Sequence, residues 1–395
     1  MFAVAAAVAA PMSLDLSTYS STLTFSVASP QGDLAYSPYY KQLFISTPTL
    51  ILEPSIFPGR TQPGGIRVFS YDDGATPAVA PVELVNLTVP PSLESSAPFA
   101  YGVGRDRILY WGYTLLASST DSAFVNQGGA AWLWRHNGAN WQFVRRASPN
   151  AAVRSDNLTI NFGEALAVSD IQDAFLAGGQ ASSGTLSVFD PKFETSNLSA
   201  IDALNDPVLV PLKPPLTDGD YFGCSGFFLT NEILLVGSRN RGFYEFNGWY
   251  DQNANLSYYE QRDWVPSPDP NAAHFALRMT GFLLMKIIVV SAPIGDSSGG
   301  RAFIFSYNFK VPQEKRYALH SELVKSTSAA SDGFGTWISM HGSYILMSYF
   351  ASALPEERHS DLYFFNVTSL RFDLLAVINF KMNVRRPFFL SLSFY

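Results

Sequence analysis

Residues 161–190 read NFGEALAVSDIQDAFLAGGQASSGTLSVFD, and this stretch decides the fold. Phe162-Gly163 opens a short first strand over Ala165–Ser169, and Asp170–Asp173 turns the chain. Ala174–Gly178, all small or apolar, is a second strand; Gln180–Gly184 is a loop, and Thr185–Phe189 is a third strand. Short apolar blocks bounded by turn residues are the mark of strands.

The same order recurs along the chain. Second-strand cores are expected at Leu43–Ser46, Ile108–Trp111, Ala174–Ala177, Ile233–Val236, Ile287–Val290 and Tyr344–Met347. Their starts lie 65, 66, 59, 54 and 57 residues apart, a spacing regular enough to mark a repeat architecture. Each core is preceded by a first strand, such as Phe99–Gly104 or Phe222–Leu229, and followed by an aromatic third strand, such as Ala131–Trp134 or Phe243–Phe246. A fourth strand follows in turn; Val82–Val89 alternates apolar and polar, as a half-buried outer strand should. Four antiparallel strands in units of about sixty residues, without a helical period between them, read as the blades of a β-propeller.

Composition agrees. The chain has 395 residues, 47% hydrophobic and only 15% charged, with 28 Gly and 25 Pro, which suits many short strands joined by tight turns. The net charge of −7 and the lack of a basic run speak against a nucleic-acid partner. A single cysteine, Cys224, rules out an internal disulfide. The most apolar internal run, Phe282–Val290, is short and holds Lys286, so it reads as a buried strand and not a membrane span. The opening MFAVAAAVAAPM is apolar with small residues near Ala9-Ala10 but lacks a basic n-region; residues 1–12 are expected to be a signal peptide or a disordered leader, with a truncated start as the further alternative.

Phe-Gly, then a small apolar strand, then Leu-Val-Gly or Val-Ser-Ala-Pro, then Gly-x-aromatic-x-Phe, resembles the FG-GAP repeat. The best matches are Phe162-Gly163, Phe222-Gly223 and Phe334-Gly335, with Leu235-Val236-Gly237 and Ser291-Ala292-Pro293 for the second half. The opening is degraded to Phe99-Ala100, Phe275-Ala276 and Gly32-Asp33 elsewhere. This resemblance implies the all-β propeller of integrin α subunits, which has seven blades. Six four-stranded blades are expected here, near residues 30–90, 98–146, 157–213, 220–265, 273–325 and 332–380. An incomplete seventh would be shared by residues 387–395 and 22–28, within one domain over residues 13–395.

The family carries calcium on Asp-rich loops between strands one and two, because a hard cation needs several converging oxygens. Here only Asp170/Asp173 keeps two carboxylates, so no metal and no cofactor is expected. The five histidines lie at no metal-ligand spacing from one another, and His274 reads as a structural histidine. Gly223-Cys224-Ser225-Gly226 lies inside a first strand with the wrong spacing for a nucleophile elbow, so Cys224 reads as a small buried hydrophobe. Asp332–Trp337 shares spacing with a sialidase Asp box but occurs once and coincides with a Phe-Gly position.

With no catalytic constellation, function is expected in loops at one mouth of the ring. The loops between strands two and three vary most, and Arg60, Tyr113, Arg239, Arg241, Asp296, Glu356 and Arg358 are the candidate contacts for a protein or glycan ligand; solvated loop charge is the bland reading of each. Sequons at Asn86, Asn157, Asn197, Asn255 and Asn366 fall at outer strands or the loops into them, where a glycan could be borne. With the resemblance, these imply a non-catalytic secreted or cell-surface protein mediating adhesion or protein binding. The alternatives are a propeller enzyme such as a glycan hydrolase, which needs two or three carboxylates at the channel mouth, and an intracellular interaction scaffold.

Overall fold

In a computed structural model of the chain, the described residues are 34–37, 39–50, 62–70, 82–88, 107–119, 130–147, 163–168, 175–179, 185–189, 210–212, 222–230, 232–239, 241–251, 256–293, 299–325, 333–341, 343–350, 357–366, 371–381 and 390–391. They form antiparallel sheets in which each strand pairs with the next in sequence. The first sheet holds β1 (Leu34–Ser37), β2 (Gln42–Leu50), β3 (Gln62–Ser70) and β4 (Val82–Leu87). The second holds β5 (Arg107–Trp111), β6 (Thr114–Ser119), β7 (Ala130–His136) and β8 (Trp141–Ala147). The third holds β9 (Ala165–Val168), β10 (Phe175–Gly179), β11 (Thr185–Phe189) and β12 (Val210–Leu212). The fourth holds β13 (Phe222–Phe228), β14 (Ile233–Ser238), β15 (Gly242–Asp251) and β16 (Leu256–Pro266). The fifth holds β17 (Met279–Phe282), β18 (Ile287–Ala292), β19 (Arg301–Tyr307) and β20 (Tyr317–Val324). The sixth holds β21 (Trp337–His341), β22 (Tyr344–Phe350), β23 (Glu357–Asn366) and β24 (Arg371–Lys381). A last strand, β25 (Leu390–Ser391), joins the first sheet.

The fold is an all-β propeller, but the expected blade count needs correction. Among the described residues there are five four-stranded blades, not six, and no incomplete seventh. The first sheet has five strands because β25 lies parallel against β1, with Leu34 opposite Leu390 and Ala35 opposite Ser391. Residues near 390 therefore cover an open edge of β1 and do not begin a further blade. Residues 22–28 and the 1–12 leader lie outside the described residues.

A second correction concerns the second sheet. Ile108–Trp111, expected as the second strand, is the first: β5 takes the edge and pairs with β6 at Trp111 and Thr114. A tight turn at Gly112-Tyr113, with Gly112 at φ +53, reverses the chain where a loop was expected. The second strand is β6, whose Leu115, Leu116 and Ala117 are wholly buried. The expected first strand, 99–104, lies outside the described residues.

Cores form between successive sheets. Phe44, Ile66 and Val68 of the first sheet pack against Tyr110, Leu115, Trp132 and Trp134 of the second. Leu235 and Phe243 of the fourth pack with Ile288, Val290, Phe303 and Phe305 of the fifth. Ile287, Val289 and Ile304 of the fifth pack with Ile345, Met347 and Tyr363 of the sixth. Both faces of an inner strand are thus apolar, which explains unbroken runs such as buried β18. The run Phe282–Val290 is the end of β17, a single 3-10 turn and β18. Lys286 takes the left-handed conformation that ends the turn. No helix among the described residues is long and apolar enough to cross a membrane.

Candidate functional site at the channel mouth

The Phe-Gly turns fix one end of the inner strands. Gly163, Gly223 and Gly335 all have positive φ, at +96, +86 and +83, a backbone state open to glycine and costly for other residues. Ala276, where Phe275-Ala276 replaces Phe-Gly, is held in the same state at φ +61. The preceding rings, Phe222, Phe275 and Phe334, are wholly buried. Each turn also docks on the blade before it. Ser118 Oγ donates to the Gly163 carbonyl at 2.7 Å, and the Phe334 amide donates to the Gly299 carbonyl at 2.7 Å. Ser225 Oγ, from the neighbouring blade, donates to the Ala276 carbonyl at 2.5 Å.

Residues just past two of these turns meet across the inner strands. Glu164 follows Gly163 in the third sheet, and Arg278 precedes β17 in the fifth. Arg278 Nη1 lies 3.7 Å from Glu164 Oε1, across the intervening fourth sheet. Side chains two blades apart approach this closely only beside the channel. Arg278 Nη1 also donates to the carbonyls of Leu277 at 2.9 Å and Cys224 at 3.4 Å. Glu164 Oε2 and Arg278 Nε are both buried with no hydrogen-bond partner among the described residues. Beside them Arg239, at the end of β14, donates to His274 Nδ1 at 3.1 Å.

Electrostatics define what the cluster can do. Burial and then the Arg239 charge push His274 down to about 4, so its ring is neutral at physiological pH. Cys224 is completely buried, and desolvation raises its thiol to about 12, which leaves it inert as a nucleophile. One carboxylate, two guanidiniums and a neutral imidazole make a recessed hydrogen-bonding cluster. They do not supply the pair of carboxylates that glycoside hydrolysis uses. Among the described residues no group of three His, Cys, Asp or Glu side chains could hold a metal ion.

The expected contact residues scatter. Arg239 joins the cluster, and Arg241 is exposed in the turn two residues on, its carbonyl accepting from the Ser267 amide at 2.7 Å. Tyr113 is 57% exposed but lies in the turn between β5 and β6, at the opposite mouth. Arg358 lies in β23, and Arg60, Asp296 and Glu356 fall outside the described residues. Of the sequons, Asn157, Asn197 and Asn255 lie outside as well. Asn86 is exposed on β4, while Asn366 is half-buried with its amide donating to Asp373 at 3.4 Å. Glu164 and Arg278 were missed because their meeting crosses two blades. The available signal was position: each lies one or two residues after a Phe-Gly or Phe-Ala turn.

No protein-family profile matches the chain, and no curated protein matches it either. Among solved structures it is similar to a candidate 6-phosphogluconolactonase from Bacteroides fragilis, with a TM-score of 0.52 at 10% identity over 91% of this chain and 86% of that one. It is also similar to the β-propeller domain of Swd1 from Myceliophteria thermophila, at TM-score 0.48 and 9% identity over 90% of this chain and 88% of that one. Sqt1 from Chaetomium thermophilum, bound to the N-terminus of ribosomal protein L10, gives TM-score 0.45 and 11% identity over 88% and 86%. At such identities the likeness speaks for the fold alone.

Proposed function

We propose that the chain is a non-catalytic interaction scaffold that holds a protein partner at the channel mouth formed around Arg239, Arg241, Glu164 and Arg278. The carrying observation is the recessed cluster there, in which a buried carboxylate oxygen and a buried guanidinium nitrogen are left without partners. Buried polar groups left unmet cost free energy that an incoming donor and acceptor would recover. The single carboxylate, the neutral His274 and the inert Cys224 support binding over catalysis. Co-purification with wild-type chain and with an Arg239→Ala, Arg241→Ala double variant tests this reading. A partner held by the wild type and lost from an equally stable variant is expected; equal retention by both would refute the placement.

A second reading, extracellular adhesion, follows from the FG-GAP resemblance, and the left-handed glycines of the three Phe-Gly turns favour it. It needs the sequons to bear glycans, whereas the scaffold reading works without them inside the cell. Asn366, already committed to Asp373, counts towards the scaffold. Intact mass before and after glycosidase treatment separates the two, and unchanged mass is expected.

A further inference from the structure

The turn between β7 and β8 reads His136-Asn137-Gly138-Ala139-Asn140, and residues 137–140 are all exposed. Its hydrogen bonds converge on one side chain. Asn137 Oδ1 accepts from the Ala139 amide at 3.0 Å and from the Asn140 amide at 2.9 Å. The Asn137 amide donates to the Asn140 carbonyl at 3.0 Å, which closes the turn. The Gly138 amide has a different acceptor: it donates to His136 Nδ1 at 3.2 Å. A backbone N–H can only donate, so Nδ1 is the bare nitrogen of the ring and the ring proton sits on Nε2. The ring is only 8% exposed and is fixed by Tyr40 at 4.2 Å and Trp141 at 5.1 Å. Burial holds its pKa below the usual value, so Nδ1 is free to take a proton at neutral pH.

These are the parts of an acyl-transfer site. An asparagine amide can be attacked by the backbone nitrogen of the residue that follows, once that nitrogen has lost its proton. Here a base sits on that proton, and two amides face the oxygen on which negative charge develops. Gly138, at φ +96, carries no side chain to crowd the approach. We propose that Asn137 is a self-modification site: the Gly138 nitrogen, deprotonated by His136 Nδ1, attacks Asn137 Cγ and converts the side chain through a succinimide to aspartate or isoaspartate. The Gly138 N–Cγ bond forms and the Cγ–Nδ2 bond breaks. The proton taken by Nδ1 leaves with Nδ2 as ammonia. Solvent water then opens the ring. Cleavage at Cγ yields aspartate, and cleavage of the original peptide bond yields isoaspartate. Either product places a new carboxylate at the tip, and isoaspartate adds a methylene to the main chain of the turn. The chain holds its own control. Its other Asn-Gly pair, Asn247-Gly248, lies within β15, where the Gly248 amide donates at 2.6 Å to the Glu232 carbonyl, which takes no proton.

Incubation of the full chain at neutral pH, followed by digestion and mass spectrometry of both Asn-Gly pairs, tests the site; enzymatic methylation of isoaspartate is the second readout. Asn137 should convert while Asn247 stays an amide. His136→Phe keeps an aromatic ring between Tyr40 and Trp141 and should slow Asn137 by at least about tenfold. His136→Gln accepts a hydrogen bond but takes no proton, and should slow it equally. In urea, wild type and both variants should convert at one rate, because only the fold holds the base in place. Melting temperatures identify a variant that does not fold, and the other variant then decides. The proposal is overturned if Asn137 remains an amide or if Asn247 keeps pace with it. It is also overturned if the folded variants convert as fast as wild type, or if they lag as far behind it in urea.

Discussion

Gly237 has no room for a methyl group. A Cβ there would fall inside contact distance of both Ser225 Oγ and the Ala276 carbonyl oxygen. Gly237→Ala should therefore cost about 2–3 kcal/mol, read as a lower urea midpoint at constant slope. The opposite change helps at Ala276. Its left-handed backbone costs about 1–2 kcal/mol for an L side chain, partly offset by the extra freedom a glycine loses on folding. Ala276→Gly should gain about 0.5–1 kcal/mol in the same experiment. His274 supplies a pH signature. Its pKa in the fold, about 4, lies below the ordinary value of 6.5, so the unfolded chain holds more protons between these values. That contribution is intact above pH 6.5 and is lost as pH falls towards 4. Discounted for partial exposure, it amounts to about 1 kcal/mol. His274→Asn, which tolerates the same positive φ, should flatten that part of the stability profile relative to wild type.

Between elements, the outer strands are tied by buried charge. Glu245 of β15 is 1% exposed and accepts from the Arg316 guanidinium and the Tyr317 hydroxyl of the next blade. Burial raises its pKa against the pull of those two donors. Glu245→Ala would strand both donors and should cost about 3 kcal/mol, with Glu245→Gln losing less. At this scale the sequence was most legible. Leu235-Val236-Gly237 and Val289-Val290-Ser291 announced second strands because inner strands are apolar on both faces. Ile108–Trp111 misled for the same reason: Tyr110, 1% exposed, stacks on Phe44 at 5.5 Å, so a first strand here is as apolar as a second. The small run Leu115–Ser118 was the better match to the motif. The places of Glu164 and Arg278 just past Phe-Gly and Phe-Ala turns were legible, but their pairing was not, since spacing along a chain carries no register between blades.

For the whole molecule, the chain is a set of sheets that each bury one face against the next, so stability is shared between neighbours. The strand at Leu390–Ser391 adds only a few backbone bonds. Removing residues 388–395 should lower stability by about 1–2 kcal/mol and increase light scattering on heating, because it bares an edge of β1. Counting blades from sequence failed for the same reason: whether a terminal segment founds a new sheet or completes an old one depends on which edge lies vacant in space.

That terminal pairing also sets an order of events. Leu34 leaves the ribosome before every other sheet and Leu390 after them, so the first sheet cannot be finished until all the sheets between have been synthesised. Until then β1 presents an unpaired flank to solvent or to a chaperone, and its satisfaction is the step that turns a growing arc into a native protein.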